Sequence, residues 1–177
     1  ALGDDDLGDL ARGELQTEGV RLRVGSLAGT TSLAQIQVTG AHRSVAWKRG
    51  SVPALSIDVS AAEDWIAGID LLYLDGHEVV ASAALLEVAV RRGVAVIADL
   101  GTLRDGTAPW LEHLVWAVAT PRFAQALAAT DDVDAQLDSL RRAAAKAIGV
   151  GVTLGGRGGL AVVDAQRVRF GPRKVRV

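Results

Sequence analysis

The residues whose types and spacing could do chemistry lie toward the C-terminal end of the chain, in Thr153-Leu154-Gly155-Gly156-Arg157-Gly158. A β-branched run (Val150, Val152, Thr153) meets the glycines, a second apolar run (Leu160 to Val163) follows, and a third short run covers Val168 to Phe170. The pattern predicts strand, tight glycine turn, strand, turn, strand. Glycines there permit positive φ and bring backbone N–H groups close to an anionic or nucleotide ligand above a sheet edge. The same spacing also suits a glycine-rich hairpin with no ligand. It is not a P-loop, because no Gly-Lys-Ser/Thr follows, and not a dinucleotide fingerprint, because a strand comes next.

Two carboxylates and one guanidinium complete the candidate set. Asp75 and Asp99 each end an apolar run of strand length, and Arg104 follows the second. Phosphoryl transfer needs positioning and charge neutralisation, and this set supplies part of both. Other chemistries have little support. His42, His77 and His113 lack metal-ligand spacing, and there is no Gly-x-Ser-x-Gly elbow and no cysteine nucleophile.

The elements that must position these residues read as an α/β chain. Ile69 to Leu74 is a strand before Asp75-Gly76-His77, Val80 to Arg92 a helix with Leu85, Leu86 and Ala89 inward, and Val94 to Ala98 a second strand. Near-continuous apolar strands around a helix argue for parallel pairing with helices on both faces of the sheet. A right-handed crossover then sets Asp75 and Asp99 at the carboxyl edge, where open α/β sheets place their ligands. Leu114 to Ala119 repeats the strand, Arg122 to Ala129 and Val133 to Ile148 are helices, and Val150 to Leu154 is a fourth parallel strand. Asp131, Asp132 and Asp134 suit the start of the longer helix as caps. Ala54 to Ala67 holds a short helix with a capping box at Ser60 and Glu63. The chain closes on a basic, strand-like tail, Gly171 to Val177.

The N-terminal third differs in character. Ala1 to Gly8 sets three aspartates between glycines ahead of a helical pattern (Leu7, Leu10, Ala11, Leu15), as caps complementing the helix dipole. Val20 to Val52 consists of short alternating runs separated by glycine, read as three or four antiparallel strands. A flap that small cannot bury its own apolar face, so it should cover a site or pair with another subunit.

Composition bounds the rest. With 177 residues, 49% hydrophobic and 23% charged, the chain can bury a single core. A net charge of −2 with dispersed Lys and Arg gives no footprint for nucleic acid or a membrane surface. The lack of cysteine fits a reducing cytoplasm, and no 18-residue apolar run suggests membrane insertion. The chain starts at Ala1 and contains no methionine, as an excerpt or a processed chain would.

The hexad Thr153 to Gly158 resembles the Thr-Leu-Gly-x-x-Gly segment of the ribokinase-like (PfkB) sugar kinases, which lies against the nucleotide in that family. Gly3 to Gly8 resembles the family's structural Gly-x-Asp-x-x-Gly turn, and Glu18-Gly19-Val20 its "Glu-Gly-Val" helix end. The resemblance implies a three-layer α/β sandwich with a mostly parallel sheet, formed by residues 1–19 and 53–177, and a small antiparallel β lid over residues 20–52. It implies substrate-binding roles for Thr31 and Arg43 in the lid and for Asp75 and Arg104 in the core. Nucleotide-binding roles fall to Thr153, Leu154, Gly155, Gly156, Arg157, Gly158 and Thr120, and a metal role to Asp99. ATP and Mg2+ are the implied cofactors and a small-molecule sugar the implied substrate. The lid stripe of Ala34, Ile36, Val38, Val45 and Trp47 permits homodimer pairing as well as cover for the chain's own substrate.

The sequence departs from the family in several places. The segment matching Asp-x-Asn-x-Arg reads Asp99-Leu100-Gly101-Thr102-Leu103-Arg104, and Thr120 and Phe123 occupy the Asn-x-x-Glu positions. The family's opening strand with its Gly-Gly segment, and the Gly-Ala-Gly-Asp turn with the general base, match no stretch of the sequence. The expectation is an internal piece of an ATP-dependent sugar kinase, itself inefficient in catalysis, whose parent is active. The rival is a non-catalytic α/β nucleotide-binding module or subunit.

Overall fold

A computed structural model describes residues 1–23, 27–40 and 42–172, with the backbone alone for His42. The chain divides into two compact units, Ala1–Leu55 and Ser56–Val177. The expected tail strand over Lys174 to Val177 lies outside the described residues.

The first unit is organised by Asp5. It caps helix α1 (Asp6–Thr17), its carboxylate accepting from the Gly8 N–H at 2.9 Å. The same carboxylate accepts from the Thr31 N–H at 2.9 Å and from the Thr31 hydroxyl at 2.6 Å. That hydroxyl in turn accepts from the Gly3 N–H at 2.9 Å. Gly3 and Gly8 are required by closeness: a Cβ on Gly8 would stand 2.2 Å from the Gly3 carbonyl oxygen, and one on Gly3 2.2 Å from that of Gly29. The aspartate, threonine and glycines thus tie the N-terminus to the base of a hairpin, β1 (Leu33–Thr39) and β2 (His42–Lys48).

The hairpin is antiparallel, with Leu33 opposite Lys48 and Thr39 opposite His42. Its pairing sets Ala34, Ile36 and Val38 on one face with Trp47, Val45 and Arg43. That stripe is exposed. Three or four strands were expected over residues 20–52, and two form among the described residues. Val20 to Arg23 makes no ladder, and residues 24–26 lie outside the description. Leu27 makes only an isolated parallel bridge to Gly3.

The second unit carries one six-stranded sheet in the order β3-β4-β5-β6-β7-β8: Leu71–Leu74, Ala95–Leu100, Trp116–Ala119, Gly149–Thr153, Gly159–Val163 and Gln166–Phe170. The first four strands are parallel and the last two extend the sheet as an antiparallel meander. Four helices accompany them: α2 (Val59–Ile66), α3 (Val79–Arg92), α4 (Pro121–Ala128) and α5 (Val133–Ala143). Asp58 caps α2 through the Ala61 N–H, so the expected Ser60 capping box gives way to a residue two positions earlier. Asp132 caps α5, whereas Asp134 pairs with Arg167 on β8.

Each parallel strand is laid down on the same side of its predecessor, so right-handed crossovers put all the intervening helices on one face. Burial agrees: Val96, Ala98, Leu100, Ala117, Ala119, Val150 and Val152 face the helices and are closed to solvent with Phe123, Leu137 and Leu140. Helices on both faces were expected. Among the described residues of this unit the arrangement is sheet plus one helical layer, because the strand order never reverses. The parallel sheet and the small antiparallel sheet agree with the expected fold class.

Hydrogen bonds from Thr31, above all, hold the Asp5 carboxyl below its ordinary value of 3.8. A depressed folded value stabilises the unit above pH 3.8 and loses that contribution as the pH falls through the folded value. Asp5→Asn is therefore expected to lower the urea unfolding midpoint at pH 7, with the gap from the parent closing in acid below about pH 3.8. A gap independent of pH would contradict this.

Candidate functional site

The site is the carboxyl edge of the parallel strands. The ladder aligns Leu74 with Ala98, Ala98 with Ala117 and Ala117 with Val150, and, two residues on, Leu100 with Ala119 and Val152. Parallel register therefore delivers Asp75, Gly101, Thr120 and Thr153 to one rim, each just past the end of its strand or at its last residue. This is the rim on which α/β sheets place ligands.

At one end of the rim, Asp75 and Gly76 make a tight turn, with Gly76 at φ 75°. The Asp75 carboxylate accepts from the His77 N–H at 2.9 Å, and its other oxygen lies 3.4 Å from His77 Nδ1. Arg104 reaches this turn from the loop after β4, donating from Nη1 to the Gly76 carbonyl at 3.1 Å. The loop is braced by buried Thr107, which accepts from the Arg104 N–H at 3.2 Å and donates to the Arg104 carbonyl at 2.8 Å. The structure thus brings Asp75 and Arg104 together, with the guanidinium acting on the backbone beside the carboxylate.

At the other end is the glycine turn. Gly155–Arg157 form one 3-10 turn between β6 and β7, closed by Leu154 N–H to Gly158 O at 2.7 Å, Arg157 N–H to Leu154 O at 3.2 Å and Gly158 N–H to Gly155 O at 3.0 Å. The Gly155 and Gly156 N–H groups take no part in those bonds. The six residues do different work. Gly158 serves the fold, since φ is 83° and a Cβ would stand 1.9 Å from the Phe170 carbonyl oxygen. Leu154 packs on the core. Gly155 needs its glycine for φ 56°. Gly156 needs it for nothing inside the chain: its φ lies outside the left-handed region and no atom lies within 4 Å of an added Cβ.

Several expected site residues turn out to be occupied elsewhere. The Thr120 hydroxyl donates to the Gly101 carbonyl at 2.6 Å and accepts from the Phe123 N–H at 3.3 Å, capping α4, so its proton is spent on the fold. Thr153 donates to the Ala119 carbonyl at 3.4 Å across the β5–β6 ladder. In the other unit, Thr31 is committed to Asp5 and Gly3, as described, while Arg43 is exposed on β2 opposite Val38. Asp99 lies inside β4, facing away from the helices, opposite Val118 and one same-face step beyond the row of Tyr73, Ile97 and Trp116. Among the described residues no group of three or more His, Asp or Glu is placed to hold a metal ion, at Asp99 or elsewhere.

No family model matches the sequence, and neither does any curated protein. Solved structures do. Adenosine kinase from Sinorhizobium meliloti superposes with a TM-score of 0.75 at 23% identity over 99% of this chain and 58% of its own. Ribokinase from Thermotoga maritima gives 0.73 at 20% identity, over 99% and 59%. An E. coli structure in complex with ATP and Mg2+ gives 0.76 at 16% identity, over 99% and 61%. The fold is ribokinase-like. The chain spans between 57% and 65% of the length of the structures it matches.

Within the ribokinase-like frame, the residues that sequence reasoning missed are those whose role depends on packing. Trp116 lays its ring across Gly149, with ring atoms 2.4 Å from where a Cβ would be, and Phe170 does the same over Gly159. Tyr73 was not singled out either. Its phenol is pushed above the ordinary value of 10.0, first by partial burial and then by the negative charges of Asp99 and Asp75. The available signal was strand parity, which sets Tyr73, Ile97 and Trp116 in one row.

Tyr73 is the chain's only tyrosine, so alkaline absorbance titration reports on it alone. Nearby carboxylates oppose phenolate formation, so the midpoint is expected above 10.0 and should move down in Asp99→Asn without reaching the free value, burial being the larger cause. An unchanged midpoint in the variant would remove Asp99 from the phenol's surroundings.

Proposed function

We propose that this chain binds ATP, as its magnesium complex, and a sugar at the carboxyl rim, and that the protein it represents transfers the γ-phosphoryl group to a sugar hydroxyl. The observation that carries the reading is Gly156. It is exposed, conformationally unconstrained and sterically free, so the advantage of glycine there lies in what approaches from outside. The adjoining N–H groups, unused by the turn, suit phosphate or ribose oxygens, and exposed Arg157 adds positive charge.

In this proposal Asp75 accepts hydrogen bonds from substrate hydroxyls. His77 and Arg104 hold the turn that presents it, and Arg104 has further N–H donors for the substrate. Magnesium arrives with the nucleotide, most of its ligands being phosphate and water oxygens. The rim residues bind and orient, and positioning with charge neutralisation is most of what phosphoryl transfer requires of a protein. Removing the acceptor hydroxyl's proton is assigned to none of them.

A second reading, a nucleotide-binding module without transfer, is favoured by one observation: Thr120 and Asp99, which stand where the family organises metal and phosphate, are engaged in capping and in the open sheet face. Turnover separates the two readings. Calorimetric titration with MgATP is expected to show binding that Gly156→Ala weakens by about tenfold or more, while the unfolding midpoint stays unchanged because nothing in the fold meets the new Cβ. Unchanged affinity would overturn the site. Transfer from labelled ATP to a panel of sugars and nucleosides supports the kinase reading, and binding without transfer supports the module.

A further inference from the structure

Strand β8 ends the meander and, among the described residues, pairs with β7 alone. All five of its residues are exposed, so none of its side chains is sealed in the core. The turn that launches it is also costly. Asp164 and Ala165 lie at φ 48° and 65°, in the left-handed region that residues with a Cβ resist. Neither burial nor a favourable turn holds this strand, and its ladder to β7 calls for a second anchor.

A charged seam supplies one. Arg167 and Arg169 stand opposite Val162 and Leu160, two buried residues of β7, so both arginines lie on the helical side of the sheet. Asp134 and Asp138, one turn apart on α5, meet them there. The Arg167 guanidinium donates from Nη1 to Asp134 and from Nη2 to Asp138, and Arg169 comes within 3.8 Å of Asp134. A planar fork that spans two carboxylates fixes orientation as well as distance. It also offsets the repulsion between like charges one helical turn apart.

Three residues beyond Arg167, or about 10 Å along the strand, β8 reaches the glycine turn. There the Phe170 carbonyl oxygen lies 1.9 Å from where a Cβ on Gly158 would stand, and the Phe170 ring lies over Gly159. Gly158 in turn closes the loop, accepting from the Leu154 N–H and donating to the Gly155 carbonyl. Contacts this close leave no slack, so a shift of β8 is passed to the peptide groups of Gly155 and Gly156.

We propose that Arg167 is a positioning residue for nucleotide binding. Pinned to α5, it sets β8, and through Phe170 the strand sets the shape in which the glycine turn presents its unused N–H groups. This rests on the reading of that turn as the nucleotide site.

The test compares the parent chain with Arg167→Gln and with Arg167→Lys, which keeps a charge between the two aspartates. In calorimetry, MgATP affinity is expected to fall about fivefold in Arg167→Gln and to recover in part in Arg167→Lys. Amide exchange should quicken at Leu154 and Gly158, whose N–H groups close the turn, and stay unchanged at Ala98 and Ala117 in the central strands. The thermal midpoint should move little, because exposed ion pairs contribute little to global stability. A parent that binds MgATP beside an Arg167→Gln variant of equal affinity overturns this inference and leaves the nucleotide site standing. So does exchange that is unchanged at the turn, or that quickens equally at Ala98 and Ala117, which would make the seam a support of the whole sheet. A folded parent that binds no MgATP overturns the nucleotide reading, and this inference with it.

Discussion

Parallel pairing in a single direction is the constraint on which the second unit depends. Strands β3 to β6 are added one beside the next, and each crossover is right-handed, so two consequences follow together. All strand ends of one polarity share a rim, which collects Asp75, Gly101, Thr120 and Thr153 from four separate stretches of sequence. All the helices share a face, which leaves the other face of the sheet open. The candidate site and the one-sided placement of these helices are two outcomes of the same topology.

Hydroxyls and glycines then divide the rim into structural and available groups. Thr120, Thr153 and Thr107 spend their hydroxyls on Gly101, Ala119 and Arg104 carbonyls, which fixes the loops where the strands stop. Gly158 is forced by the Phe170 carbonyl, and Gly149 and Gly159 by aromatic rings. What is left after these demands are met is small: the Asp75 carboxylate on its His77 and Arg104 supports, Arg157, and the peptide groups of Gly155 and Gly156. A ligand-binding account has to rest on that remainder, since a residue already used by the fold is a poor candidate for a substrate contact.

Much of the fold was legible in the sequence because its signals are local. Apolar runs before Asp75 and after Arg92, the glycine at 93 that ends α3 with φ 69°, and the hairpin turns after Thr153 and Val163 each follow from residue type and spacing. The glycine turn after Thr153 and the tight turn at Asp75 and Gly76 were legible as turns for the same reason. What escaped depends on partners distant in sequence. Thr31 reads as a lid residue until Asp5, 26 positions away, claims its hydroxyl. Asp99 reads as the twin of Asp75 until β4 extends to Leu100 and strand parity turns its side chain to the open face. The number of helical layers is set by strand order, which no single segment encodes.

The central claim is that the carboxyl rim, through the peptide groups the fold does not use, receives a nucleotide. Amide chemical-shift mapping of the isotopically labelled chain on addition of MgATP tests it most directly. The account predicts the largest shifts at Gly155, Gly156 and Arg157, with little change at Leu71 and Ala95, at the opposite ends of their strands. Shifts centred elsewhere, or none at all in a folded chain, would contradict it.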